Sequence, residues 1–489
     1  MSHEITSLSA TELARRIRSR ALSSREVVQA HLDRISEWNP RLNAIVDLDA
    51  EGALEQAARA DEAQANGRPL GRLHGVPLTI KASIDVRGLR SECGSRFRQG
   101  YVAERDATLV ARLRSAGAVF LGTTNTPDML MAYETDNYLY GRSNNPWDLT
   151  RTPGGSSGGE AASIAAGCSP AGFGSDGGGS VRVPAHFCGI CGLKPTPGVI
   201  PRTGHWPSCV GPSAYLGLIG PMARAAEDLQ LLMEATAGPE RHDPSAAPVD
   251  VSAPGLEALK AGRIGWAVSD GRTPVTDETA AAVETAAKAL ERRGFRIEPF
   301  SLEGLEDAIR VWWTLFGVAG ATLTQPLIAG RESDVHPLSL GLFAAKEEAE
   351  AMTYPKFLDA WVERDRLRSK LLARMEGLTA FLCPTASLPA FGHGEREWRI
   401  GAQTVRYPHV FRYAQLFNLT GNPVVSVPAG RSPEGCRSAY KWSPSRSRTP
   451  PQSHFRSSFR RNAACRKAFR AFENVFPTMF VGLGYDKTN

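Results

Sequence analysis

The sequence predicts an α/β fold, and three observations carry that expectation. Helical runs stopped by glycine are followed by short apolar runs of strand length, as in "DATLVARLRSAGAVFLG" at 106–122. The same rhythm returns in the second half of the chain, at 262–300. Hydrophobic residues fill 42% of 489 positions, enough for one large core or for two to three ordinary domains.

The first 40 residues read as two helices, each opened by a capping-box pattern, Ser9-x-x-Glu12 and Ser23-x-x-Glu26. Val28, Leu32 and Ile35 mark the apolar face of the second, and Asn39-Pro40 is expected to end it. An Ala- and Glu-rich helix follows from about Glu51 to Asn66. "HGVPLTIKASIDVRG" at 74–88 reads as a short strand carrying Lys81, then a turn. Residues 106–122 give a helix, a stop at Gly117 and a strand. After a glycine-dense zone, "GRIGWAV" (262–268) reads as a strand and Thr276 to Arg293 as a helix stopped at Gly294. "FRIEPF" (295–300), "GLTAFLCPT" (377–385) and "NPVVSVPAG" (422–430) read as further strands, and no internal repeat is visible.

Composition excludes several classes. The N-terminus "MSHEITSLSATELARR" carries charge early and has no apolar stretch of the kind a secretory signal needs. No run of about 18 apolar residues occurs, so no spanning helix is expected. The eight cysteines are scattered rather than set at framework spacings, which fits a reduced, cytoplasmic protein. Net charge is +6, but between Cys436 and Phe472 stand eight arginines, two lysines and no acidic residue. The remainder is mildly acidic and offers no nucleic-acid footprint. Residues 436–489 form a basic Ser/Arg/Pro-rich tail without apolar periodicity, expected to be disordered or a frame-shifted reading of the coding sequence.

Ten glycines crowd residues 154–179. Gly172-Phe-Gly174-Ser-Asp-Gly177 matches G-x-G-x-x-G, but no acidic residue follows from Gly177 to Ala226, and Pro184 is expected to interrupt any helix there. "GSSGG" (155–159) matches a nucleophile elbow at Ser157, yet the preceding "NNPWDLTRTPG" is no buried strand. Cys188-x-x-Cys191 stands without a second pair or spaced histidines, and reads as small buried residues. The triple glycine Gly177–Gly178–Gly179 before Ser180 is different. Successive N–H groups without side chains can form an anion nest, and beside a nucleophile that nest is an oxyanion hole. A flexible loop or a phosphate loop are the alternatives, although the lysine of a phosphate loop is missing. His186 is the only histidine nearby, and a structural role suits it better than that of a base.

The segment "PGGSSGGEAASIAAGCSPAGFGSDGGGSVRVPAHFCGICGLKPTPG" (153–198) resembles the signature of the amidase signature family. "GRLHGVPLTIKASIDVRG" (71–88), "GTTNTPD" (122–128) and "GPMAR" (220–224) match it as well. The likeness covers roughly residues 10 to 435 and is similar to the fatty acid amide hydrolase and bacterial amidase branch. It implies a central mixed β-sheet flanked by helices on both faces. It also implies a Ser–cis-Ser–Lys triad with Ser180 as nucleophile, Ser156 as relay and Lys81 as base, without metal or cofactor. Burial, with Leu78 and Ile80 contributing, would lower the Lys81 pKa and make it a base. The backbone N–H groups of Gly177, Gly178, Gly179 and Ser180 would hold the oxyanion. Ser157 and Ser175 would tune the relay, and Asp176 and Arg182 would brace the loop. Two departures stand out: Ala82 replaces an aspartate frequent in the family, and Gly177 replaces a larger residue, which would widen the hole.

These readings lead to an amidase acting on apolar or aryl acyl amides, with esters and carbamates as further substrates. Leu130, Met131 and Tyr133 are expected to line the acyl side, and Trp206, Trp312 and Trp313 the leaving-group side. The alternative is a glutamine-dependent amidotransferase A-type subunit, which would need protein partners. The expected organisation is one domain over 1–435, with N-terminal helices at 1–66, a catalytic core at 71–225 and a substrate-side region at 226–435. A monomer or homodimer is expected.

Overall fold

The computed structural model describes residues 2–252, 255–339 and 341–430, so the expectation for the tail at 436–489 lies outside the described residues. The strands are β1 (Ile45–Leu48), β2 (Pro77–Lys81), β3 (Val119–Thr124), β4 (Ala171–Asp176), β5 (Cys191–Lys194) and β6 (Leu218–Ala223). They continue with β7 (Arg263–Trp266), β8 (Arg296–Pro299), β9 (Leu378–Leu382), β10 (Glu397–Ile400), β11 (Gln403–Arg406) and β12 (Val424–Ser426). Seven of them form one sheet in the order β1-β3-β2-β4-β6-β5-β12. Strands β3, β2 and β4 run parallel, and the outer pairings are antiparallel, so the sheet is mixed. A second sheet, β8-β7-β9, is parallel, and β10-β11 is a separate antiparallel pair.

Both faces of the large sheet are covered, and β3 shows why. Successive strand residues point to opposite faces. Phe120 packs with Leu13, Ile17, Leu109, Leu113 and Leu229, while Val119 and Leu121 pack with Val28, Leu32 and Ile35. The helices Ala10–Arg18 and Ser24–Leu42 begin as the capping patterns foretell: Ser9 and Ser23 accept from the N–H of Glu12 and Glu26. Pro40 does not end its helix, which runs to Leu42. Proline removes one backbone donor, and this close to the end that loss leaves only the last turn to hold.

The glycine zone holds regular structure that its composition conceals. Helix Gly158–Ala166 and strand β4 both lie inside it. A Cβ at Gly172 would overlap the Glu160 carboxylate and the Thr79 carbonyl, so the glycine is what lets strand and helix approach. Pro184 also fails to prevent a helix. It is the third residue of Arg182–Cys188, in the first turn, where a backbone N–H has no partner within the helix anyway.

Candidate active site

Parallel strands place their carboxyl ends on one edge of a sheet, where ligands gather in α/β folds. Lys81 is the last residue of β2, and Ser175 and Asp176 are the last two of β4. Ser156 lies in the loop before helix Gly158–Ala166, after a cis Gly155–Ser156 peptide. Ser180 lies between β4 and helix Arg182–Cys188.

Strand alternation turns Lys81 to the side of Thr79, whose hydroxyl donates to Glu160 Oε1 at 2.6 Å. Leu78 and Ile80 join the cluster holding Phe120 and Phe173, so their bulk goes to the other face and does not shield the lysine as expected. Lys81 is nonetheless fully buried, and its Nζ donates to Ser156 Oγ at 2.7 Å and to Ser175 Oγ at 3.0 Å. Burial drives its pKa down to about 7, against the opposing pull of Cys93, Asp176 and Glu160. Ser157 Oγ donates to the Ser175 carbonyl and accepts from the Ser175 N–H, both at 3.3 Å, which ties the loop carrying Ser156 to β4.

The glycine loop is held by its carbonyls and by one carboxylate. Asn418 Nδ2 donates to the Asp176 carbonyl at 3.1 Å, Trp312 Nε1 to Gly177 O at 2.8 Å, and Tyr133 Oη to Gly178 O at 2.8 Å. Arg182 donates twice to the Asp176 carboxylate, at 2.9 Å each, and to Asn418 Oδ1 at 2.6 Å. Burial alone would raise the Asp176 carboxyl, yet the Arg182 guanidinium and the Asn418 amide hold it well below the usual range. Asp176 Oδ1 in turn accepts the Gly179 N–H at 2.7 Å. That bond engages the Gly179 N–H with the carboxylate, which corrects its place in the four-donor cradle expected from the sequence.

A second correction concerns Gly177. A Cβ there would overlap the Phe316 ring, so that ring occupies the space that a larger residue would have taken, and the site is not widened. Sequence reasoning missed Phe316, Asn418 and the indole bond of Trp312. The extra glycine was the available signal, since a position without a side chain invites a large neighbour.

Ser156, Ser175, Asp176, Gly177, Gly178 and Ser180 open onto one cavity of ≈ 1010 Å³. Leu130, Met131 and Tyr133 line it, as do Trp312, Trp313 and Phe316. Trp206 does not belong to that lining and packs instead with Met129, Ile328 and Val335. His186 lies away from the cavity, its Nε2 3.2 Å from the Leu388 carbonyl, and burial lowers its pKa to about 4. Cys188 and Cys191 are buried. Among the described residues no helix is long and apolar enough to cross a membrane. The arrangement offers a buried, weakly basic amine hydrogen-bonded to Ser156, with Ser180 on the same cavity beside a glycine loop held by Trp312, Tyr133 and Asp176.

Comparison with known proteins gives a consistent result. A family model described as Amidase matches residues 26–437. A glutamyl-tRNA(Gln) amidotransferase subunit of Chromohalobacter salexigens is 36% identical over 464 residues, covering 86% of this chain and 89% of the relative. An acylamidase of Rhodococcus erythropolis is 34% identical over 436 residues, covering 88% and 90%. The solved structure of a bacterial aryl acylamidase of the amidase signature family superposes with a TM-score of 0.77 at 26% identity, covering 88% of this chain and 91% of that one.

Proposed function

The chain belongs to the amidase signature family, and we propose that it hydrolyses carboxamide C–N bonds of apolar or aryl acyl groups through an acyl-enzyme. Esters and carbamates are further substrates in this reading. The observation that carries it is the 2.7 Å hydrogen bond from fully buried Lys81 to Ser156 at the edge of an apolar cavity that Ser180 also lines.

Neutral Lys81 accepts the Ser156 proton as Ser156 accepts that of Ser180, and Ser180 Oγ attacks the carbonyl carbon. Charge develops on the carbonyl oxygen, where the N–H groups of Gly177, Gly178 and Ser180 stabilise it. The proton returns by the same path to the leaving nitrogen, the amine departs, and water hydrolyses the acyl ester on Ser180. Ser157 and Ser175 orient the relay, and Asp176 and Arg182 brace the donor loop.

Leu130, Met131, Tyr133 and Phe316 give the cavity the apolar wall that suits such acyl groups. The likeness to an amidotransferase component supports the second reading, transfer of glutamine-derived ammonia with partner proteins. A panel of aryl amides, fatty amides, esters and carbamates, run on the purified chain and on Ser180→Ala, tests the proposal. Turnover by the wild type alone and its loss in the variant support an autonomous hydrolase. Undiminished turnover in Ser180→Ala overturns the nucleophile assignment.

A further inference from the structure

We propose that Trp312 is a positioning residue for the oxyanion hole, and that Phe316 holds it in place and is the reason residue 177 must be glycine. The inference rests on the reading of the Gly178 N–H as an oxyanion donor.

Helix Ala308–Trp312 runs into a wider π-helical turn, Trp313–Val318. Such a turn takes more residues than an α-helical one, and Trp312 and Phe316 stack with centroids 5.5 Å apart and planes at 22°. The indole N–H donates to Gly177 O at 2.8 Å, and the Tyr133 hydroxyl donates to Gly178 O at 2.8 Å. Among the described residues only the 155–156 and 206–207 peptides are cis, so both peptides of this loop are trans. In a trans peptide the N–H points opposite to the C=O of the same plane. Anchoring Gly177 O on the indole therefore sets the direction of the Gly178 N–H. Anchoring Gly178 O on Tyr133 likewise sets that of the Gly179 N–H, which meets Asp176 Oδ1 at 2.7 Å. The plane bearing the Gly178 donor thus depends on one distant side chain, 135 residues along the chain.

Sterics bind the same groups together. A Cβ at Gly178 would lie 2.6 Å from Trp312 Cζ2 and 2.6 Å from Tyr133 Oη. At Gly177 it would overlap Phe316 Cζ, and moving Phe316 would release its stacking on the indole. Trp312 is largely buried, so the indole bond forms where water competes little.

Trp312→Phe removes the N–H and keeps an aromatic ring. It should lower kcat on an aryl amide by about tenfold or more, with KM within about twofold. Affinity for an aryl trifluoromethyl ketone, which forms a tetrahedral oxyanion adduct with a serine, should fall by the same factor. A raised KM with unchanged kcat and unchanged ketone affinity would reduce Trp312 to a pocket wall and overturn the proposal. Gly177→Ala should lower Tm, and adding Phe316→Ala should restore part of that loss; additive losses in the double variant would overturn the steric coupling. Thermal unfolding needs no turnover. Failure of the coupling therefore counts against the aromatic clamp, whereas a wild type inert toward every amide counts against the functional reading.

Discussion

Lys81 Nζ stands 2.7 Å from Ser156 Oγ and 3.0 Å from Ser175 Oγ, with no solvent exposure of the lysine. Taking the ammonium out of water penalises its charged form, and burial therefore favours the neutral amine. If that amine is the base, Lys81→Met and Ser156→Ala should each lower kcat by about 10²–10⁴-fold. The double variant should lose little more than either single one, because the two act as one relay. Steady-state kinetics on an aryl amide, with circular dichroism to verify folding, checks this.

The pH dependence has a defined sign. The Lys81 pKa is lowered to about 7, so the basic form dominates above that value and is lost below it. kcat/KM should fall about tenfold per pH unit on the acid side and level off above neutrality. Glu160, pushed up to about 7 by burial, raises the Lys81 pKa through its charge. Glu160→Gln should therefore move the acid limb to lower pH. A shift to higher pH would contradict the assignment of that limb to Lys81.

The Asp176–Arg182 brace beneath the glycine loop should be visible in stability. Asp176 and Arg182 are both buried and form two 2.9 Å hydrogen bonds. Asp176→Ala leaves the guanidinium without its carboxylate and should cost about 3–5 kcal/mol in urea unfolding. Activity should fall as well, since Asp176 also accepts the Gly179 N–H. Loss of activity with unchanged stability would point to a direct chemical role instead.

Much of this site is legible in the sequence, and what is not has a physical explanation. Lys81, Ser156 and Ser180 emerge from motif likeness, and no local pattern could join residues 75 positions apart. Strand β4 and helix Gly158–Ala166 escape because periodicity needs large apolar side chains, and glycine and alanine do that packing here. Trp312 reads from the sequence only as a wall. Its bond to Gly177 O spans 135 residues, and Asn418 reaches Asp176 across 242.

The apolar wall makes a prediction about substrates. Met131 lines the cavity together with Tyr133 and Leu130. Met131→Ala should raise KM for apolar acyl amides by about tenfold while leaving acetamide nearly unchanged. Equal effects on both would argue against an acyl subsite there.

Covalent labelling reads the nucleophile itself. An alkyl fluorophosphonate should add once to the wild-type chain, and peptide mass mapping should place the adduct on Ser180. Labelling should vanish in Ser180→Ala and slow by about 10²-fold or more in Lys81→Met. An adduct on any other serine, or undiminished labelling of Ser180→Ala, would overturn Ser180 as the nucleophile.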